Sequence, residues 1–334
     1  MADFPRKRAI LIGVDAYERL TPLRYSGRDV TQIASSLTSS LKFREEDILQ
    51  FTATSNLKPN RSAIIDNLGR FVAQKVDPDE LLLFYFSGHG VIDHGDGKDY
   101  LLPIDASPFA FAATGLSVDY VVERLCSTKC RNVVMFIDAC REAVAGAKGA
   151  ASIGASSREM LEREGVVTFF ACDPQEKSYE IDDIQHGSFS YCLLDVISNG
   201  TCTTVGAVDR HLSQAVPELN SRYHKPLQRP FTVIKPAEKS ELTIFYSTAK
   251  ERVVVGNLVR LMDRLGERLV NGDLDEKIFN DAIETITRAS VAPVLDPLDV
   301  KRMRFIEAFC NGTLSATAFR VAWQALDRWK SAEL

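Results

Sequence analysis

Hydrophobic and polar positions along this 334-residue chain fall into two regimes. Up to about residue 248, short unbroken apolar runs alternate with amphipathic stretches. The runs are RAILIGV (8–14), DILQF (47–51), LLLFYF (81–86), NVVMFI (132–137) and VVTFFA (166–171). An unbroken run, rather than strict alternation, marks a strand covered on both faces, as in a largely parallel sheet. Between the runs, 29–41, 61–76 and 118–125 carry helical periodicity. Strand and helix therefore alternate, and this order predicts an α/β fold, an open and mostly parallel sheet sandwiched by helices.

The pattern breaks at AVAGAKGAASIGASS (143–157), where small residues leave almost nothing to bury. Such a segment predicts a flexible, exposed connection, taken here to reach residue 164. Structured patterns resume through HGSFSYCLLDVI (186–197) and a β-like FTVIKPAEKSELTIFYS (231–247). From about residue 249 only helical patterns remain, interrupted once by Pro293 and Pro297. The chain thus divides into 1–142, a connection over 143–164, 165–248, and a small all-α domain over 249–334, whose size suits an independent unit. Phe305, Phe309, Phe319, Trp323 and Trp329 recur there at mostly helical spacings and read as its core.

Charge narrows the function classes. A net charge of -5 and scattered Lys and Arg provide no basic field for nucleic acid or an anionic membrane. The N-terminal apolar run meets Asp15 at once, unlike a signal peptide, and no stretch is long enough to span a bilayer. The seven cysteines lack the paired spacing of a disulfide framework or a zinc site; Cys126 and Cys130 read as packing residues. A reducing, cytoplasmic setting is expected.

Two predicted strands run into reactive residues. LLLFYF continues into Ser87-Gly88-His89-Gly90, and NVVMFI into Asp138-Ala139-Cys140-Arg141-Glu142. In an open parallel sheet such groups collect where strands end at their carboxyl edge. If the two strands are neighbours, His89 and Cys140 stand within reach, an imidazole able to deprotonate a thiol for attack on a carbonyl.

Cys140 follows His89 by about 50 residues, the interval of caspase-type peptidases. The chain resembles a caspase-like cysteine peptidase, nearest in its motifs to metacaspases and their prokaryotic relatives. YFSGHG, DYLLPIDA, FIDAC, VVTFFACDPQEKSYE and HGSFSYCLL follow the family order over roughly 7–234. The resemblance implies a caspase-like fold with large- and small-subunit-like parts at 1–142 and 165–248. It also implies peptide hydrolysis by a Cys140–His89 dyad through an acyl-thioester, with no organic cofactor. Eukaryotic caspases carry Gln at the position of Asp138, where metacaspases carry Asp; a glycine common soon after the cysteine is Glu142 here.

Backbone N–H groups of Gly90 and Cys140 are expected to face the developing oxyanion, a glycine allowing close approach, while Gly88 reads as permitting a turn. The resemblance also implies an acidic primary pocket from Asp29 and Asp138, which favours Arg, or Lys, before the cleaved bond. The alternatives are that Asp29 caps its helix and Asp138 braces a loop, and that nearby Arg24 supports cleavage after Asp. Lys148 and Arg158 are expected processing sites of a zymogen. DHGDGKD (93–99) has acidic calcium-loop spacing without the closing glutamate, so calcium stands as an alternative to no metal. Expected partners are protein substrates and an activating protease or regulatory partner acting through the helical domain, with neither nucleic acid nor membrane. A monomeric stress or defence protease is the leading expectation, and an inactive scaffold of the same fold is its rival.

Overall fold

Each of the five apolar runs forms a strand of one sheet. In chain order the first unit comprises β1 (Lys7–Gly13), α1 (Ser26–Leu41), β2 (Ile48–Phe51), α2 (Arg61–Val72), β3 (Leu81–Asp93), β4 (Lys98–Leu101), α3 (Phe111–Thr114), β5 (Leu116–Ser117) and α4 (Val118–Cys126). It continues with β6 (Asn132–Ala143), α5 (Ala155–Glu164), β7 (Val167–Phe170), β8 (Glu180–Ile181), β9 (His186–Gly187), α6 (Ser188–Asn199), α7 (Val205–Arg222) and β10 (Phe231–Val233). The computed structural model describes residues 6–93, 96–143, 155–173, 176–199, 202–245, 255–291, 297–310 and 314–332. The chain separates into two units, Met1–Tyr246 and Ser247–Leu334.

The sheet order is β10-β7-β6-β3-β1-β2. All neighbours in it are parallel except β10, which runs antiparallel to β7. Alternation along each strand splits the core in two. Ile10, Ile12, Phe84, Phe86, Met135 and Ile137 join Ile64, Leu68, Val121 and Leu125 on the face of α2 and α4. Leu11, Leu83, Tyr85, Val134, Phe136 and Phe169 join Val30, Ile33, Leu37, Phe189 and Leu212 on the face of α1, α6 and α7. Each such large side chain contributes roughly 1.5–3 kcal/mol on burial, so both apolar faces require helical cover.

β3 and β6 do not stop where their apolar runs stop. They remain paired in parallel from Leu81↔Asn132 to Ile92↔Ala143, while the flanking β1 and β7 end at Gly13 and Phe170. On its far side the extension of β3 pairs antiparallel with β4, from Gly90↔Leu101 to Asp93↔Lys98. Backbone groups of Ser87 to Asp93 are thereby paired without a long apolar run, which is why hydropathy ends the strand too early. The reactive residues consequently sit within strands that project past their neighbours, rather than on loops after them.

Three further expectations change. Residues 144–154, with Lys148, lie outside the described residues, but 155–164 of the expected flexible connection form α5. Its Met160 and Leu161 are buried, and the Ser157 hydroxyl, also buried, donates to Asp119 Oδ1 at 2.8 Å. Met160 and Leu161 supply the apolar contact that the small residues before them lack. The β-like stretch at 231–247 is a strand only over Phe231–Val233, because Pro236 has no N–H for a ladder and a 3-10 turn over Ala237–Glu241 follows. Helix α2 ends at Val72 rather than at residue 76.

In the second unit, α8 (Val255–Val270), α9 (Glu276–Val291), α10 (Pro297–Cys310) and α11 (Ala316–Ala332) enclose their own core. Leu265, Ile286, Ile306, Phe309, Phe319 and Trp323 are buried in it, with Phe305 packed partly against it. The Phe309 and Phe319 rings stack at 4.5 Å; the Trp329 side chain lies outside the described residues. Among the described residues no helix is long and apolar enough to cross a membrane.

Candidate active site

The parallel register of β3 and β6 makes His89 and Cys140 direct partners across the ladder. His89 is half-buried, and its ring Nε2 lies 2.8 Å from the carbonyl oxygen of Thr21. A carbonyl only accepts, so Nε2 carries the proton and Nδ1 of the neutral ring holds the lone pair. The side chain of Cys140 lies outside the described residues, and its backbone position defines the pair.

Tyr17 holds His89 from behind. Its buried hydroxyl accepts the His89 backbone N–H at 2.7 Å and donates to the Leu102 carbonyl at 3.0 Å. The two rings sit 4.7 Å apart between centroids. Burial pushes the Tyr17 phenol well above its usual range, so it remains a neutral donor. A Cβ on Gly88 would lie 2.7 Å from that hydroxyl. Gly88 therefore makes room for Tyr17 within a strand and serves no turn, a correction to the sequence reading.

Gly90 is buried, with Leu101 on one side and Arg141 on the other as register partners. The Leu102 N–H donates to the His89 carbonyl, so His89 addresses β4. Alternation along the strand then turns the Gly90 amide toward β6, the side of Cys140.

Beside this pair lies a cleft lined by Ser26, Asp29, Ser87, His89, Asp138 and Glu180, among others. Both predicted pocket carboxylates reach it, each almost wholly buried. Asp29 does not cap α1: Oδ1 is hydrogen-bonded by His186 Nδ1, and Oδ2 accepts the Gly187 N–H at 3.1 Å. Asp138 accepts from the Ser178 hydroxyl at Oδ1 (2.6 Å) and from the Ser190 hydroxyl at Oδ2. With its proton so committed, Ser190 accepts in turn from the Tyr85 hydroxyl at 2.6 Å. Gly187 sits between the two acids, where a Cβ would lie 3.0 Å from Asp138 Oδ2 and 3.2 Å from Asp29 Oδ2.

Burial, followed by the charges of Asp29 and Glu180, pushes the Asp138 carboxyl up to about 6 against its serine hydrogen bonds. Burial raises Asp29 as well, opposed chiefly by His186. Neither carboxylate pairs with a lysine or arginine among the described side chains, and a guanidinium or ammonium has the charge and the donors to engage both.

Arg24 is not part of this lining: its mostly exposed guanidinium pairs with Asp182 at 2.8 Å, while its backbone N–H reaches Glu180. Arg158 is exposed on α5, next to the buried Ser157. In the acidic run, Asp96 accepts from the Lys98 N–H and the Tyr100 hydroxyl, whereas Asp99 is buried; His94 and Gly95 lie outside the described residues. Cys130 is buried and donates to the Glu80 carbonyl, as a packing cysteine does. Sequence reasoning missed Tyr17, Thr21, Ser178, Glu180, His186 and Ser190. HGSFS carries two of them, and only contact with α1 and β6 reveals their task.

Three comparisons bear on this arrangement. A model of the caspase domain matches residues 6–254. Metacaspase-1 of Pyricularia oryzae is 28% identical over 124 residues, covering 34% of this chain and 30% of the relative, so the match spans under a third of that protein. The crystal structure of caspase-1 from Spodoptera frugiperda superposes with a TM-score of 0.48 at 17% identity, covering 69% of this chain and 87% of the other. From the first strand to the end of the first unit this is one continuous caspase domain, and the chain belongs to the caspase-domain cysteine peptidases.

Proposed function

We propose that this chain is an endopeptidase that cleaves protein substrates after Arg or Lys, with Cys140 as nucleophile and His89 as proton carrier. His89 Nδ1 takes the thiol proton as sulfur attacks the scissile carbonyl, and the imidazolium then protonates the departing amine. Water hydrolyses the thioester, giving a proton to His89 and returning the thiol. The Gly90 and Cys140 amides stabilise the oxyanion. The observation that carries this reading is the buried Asp29–Asp138 pair in a cleft lined by His89. Such a pocket binds a basic side chain and repels an aspartate.

The pairing of β6 with β3 as far as Ala143 supports a zymogen reading. In that state residue 141 lies along Gly90, and the oxyanion amide is enclosed in the sheet. Cleavage at Lys148 or elsewhere in 144–154 would free β6 to withdraw; Arg158, inside α5, is the less accessible site. The helical unit is assigned to recruiting a partner or restraining the site.

The test is turnover of fluorogenic peptides with Arg, Lys or Asp before the cleaved bond, using wild type and Cys140→Ala. Calcium and prior nicking within 144–154 are varied. Cys140-dependent turnover after Arg or Lys is expected. Turnover only after Asp refutes the pocket, while silence in every arm together with ordinary alkylation of Cys140 by iodoacetamide favours a scaffold.

A further inference from the structure

Asp29 sits at the floor of the cleft with no lysine or arginine among the described side chains paired to it. Instead, two consecutive residues of β9 grip it: His186 through ring Nδ1 on one oxygen and Gly187 through its backbone N–H on the other. His186 is itself buried, with Tyr191 5.9 Å away between ring centroids, and stands behind Asp29 rather than in the lining of the cleft. Its strand pairs with β8, where Glu180 accepts the Arg24 and Tyr25 backbone N–H groups ahead of α1. One short hairpin is thus fastened to the start of α1, with Asp182 and Gln185 of its turn reaching Arg24, Tyr25 and Arg28, and one of the fastenings is the pocket acid.

A buried carboxylate needs donors to keep its orientation. The His186 ring N–H and the Gly187 amide are those donors. We propose that His186 is a positioning residue for basic selectivity, aiming Asp29 into the pocket toward the incoming guanidinium or ammonium. This rests on the reading of the cleft as a basic-side-chain pocket. His186 acts only through Asp29, so its effect falls on substrate binding and spares the chemistry at residue 140.

The experiment uses the full chain with His186→Phe, which keeps a ring but removes the donor, and His186→Asn, whose amide N–H occupies the region of Nδ1. Agmatine, a small guanidinium, is titrated calorimetrically into the Cys140→Ala forms, so binding is read without turnover. Arg-peptide kinetics are measured on the forms retaining Cys140, and melting temperatures on all. The Phe variant is expected to lose agmatine affinity at least tenfold and to raise KM by a similar factor, with kcat within about twofold. The Asn variant is expected to recover most of both.

Equal agmatine affinity in wild type and His186→Phe overturns the proposal while leaving the pocket in place. So does equal loss in both variants with a parallel fall in melting temperature, the mark of a packing role. Failure of the wild-type pocket to bind agmatine overturns the pocket and this role together. Normal agmatine binding without any turnover refutes only the peptidase chemistry.

Discussion

A single hydroxyl at Tyr17 meets the His89 amide and the Leu102 carbonyl, and its ring packs on the imidazole. Removing a hydrogen-bond partner from a buried donor costs about 1–3 kcal/mol. Tyr17→Phe should therefore lower kcat roughly tenfold with KM unchanged, which steady-state kinetics on an Arg peptide checks. Asp138 carries a second prediction. In the free enzyme it ionises at about 6, so it is a carboxylate above that pH and a neutral acid below it. Turnover of Arg peptides should rise through pH 6, its kcat/KM falling at most tenfold per unit below. The same shift has a stability consequence. From the unfolded value near 3.8 up to about 6, the native state holds a proton that the unfolded chain has released, so this group's contribution declines as pH rises through that window. At neutral pH its buried charge costs about 3 kcal/mol. Asp138→Asn should then abolish cleavage after Arg without lowering the melting temperature, a combination that a merely structural aspartate would not show.

At the scale of elements, α5 is the connection that would hold the domain together across the proposed cut. Ser157 ties α5 to α4 through Asp119 and accepts the Asp99 N–H of β4, while β7 pairs with β6 from Val134↔Val167 onward. Chains nicked within 144–154 should remain one particle in size-exclusion chromatography without denaturant, both fragments eluting together. Ser157→Val should destabilise that particle by roughly 1–3 kcal/mol in urea unfolding, because the Asp119 carboxylate and the Asp99 N–H each lose a buried hydrogen bond. The lengths of β3 and β6 were not legible for a related reason. Hydropathy reports side-chain burial, whereas SGHGVID is held extended by ladders on both flanks. The α5 helix was hidden in the opposite way, its few apolar residues following a stretch that has almost none.

At the scale of the whole chain, two units with separate cores predict two unfolding events. All nine tyrosines fall within Met1–Tyr246 and both tryptophans within Ser247–Leu334, so the units are spectroscopically distinct. Tryptophan fluorescence should follow the helical unit and tyrosine absorbance the caspase domain. Non-coincident midpoints in one denaturant titration are the expected result; coincident ones would mean a single cooperative block. At this scale the sequence by itself determined the alternation of strand and helix, the helical tail, and the residue types of the candidate site: His89, Cys140, Asp29 and Asp138. Periodicity over ten to twenty residues encodes which face of an element is buried, and that information is local. Only the tertiary structure decided that His89 and Cys140 share a register, that Asp29 turns inward instead of capping α1, and that Tyr17 and His186 stand behind the reactive groups. Those facts join residues 51, 72 or 157 positions apart, and their physical cause is the packing of both helix layers and the β8–β9 hairpin around one sheet, which no local pattern records.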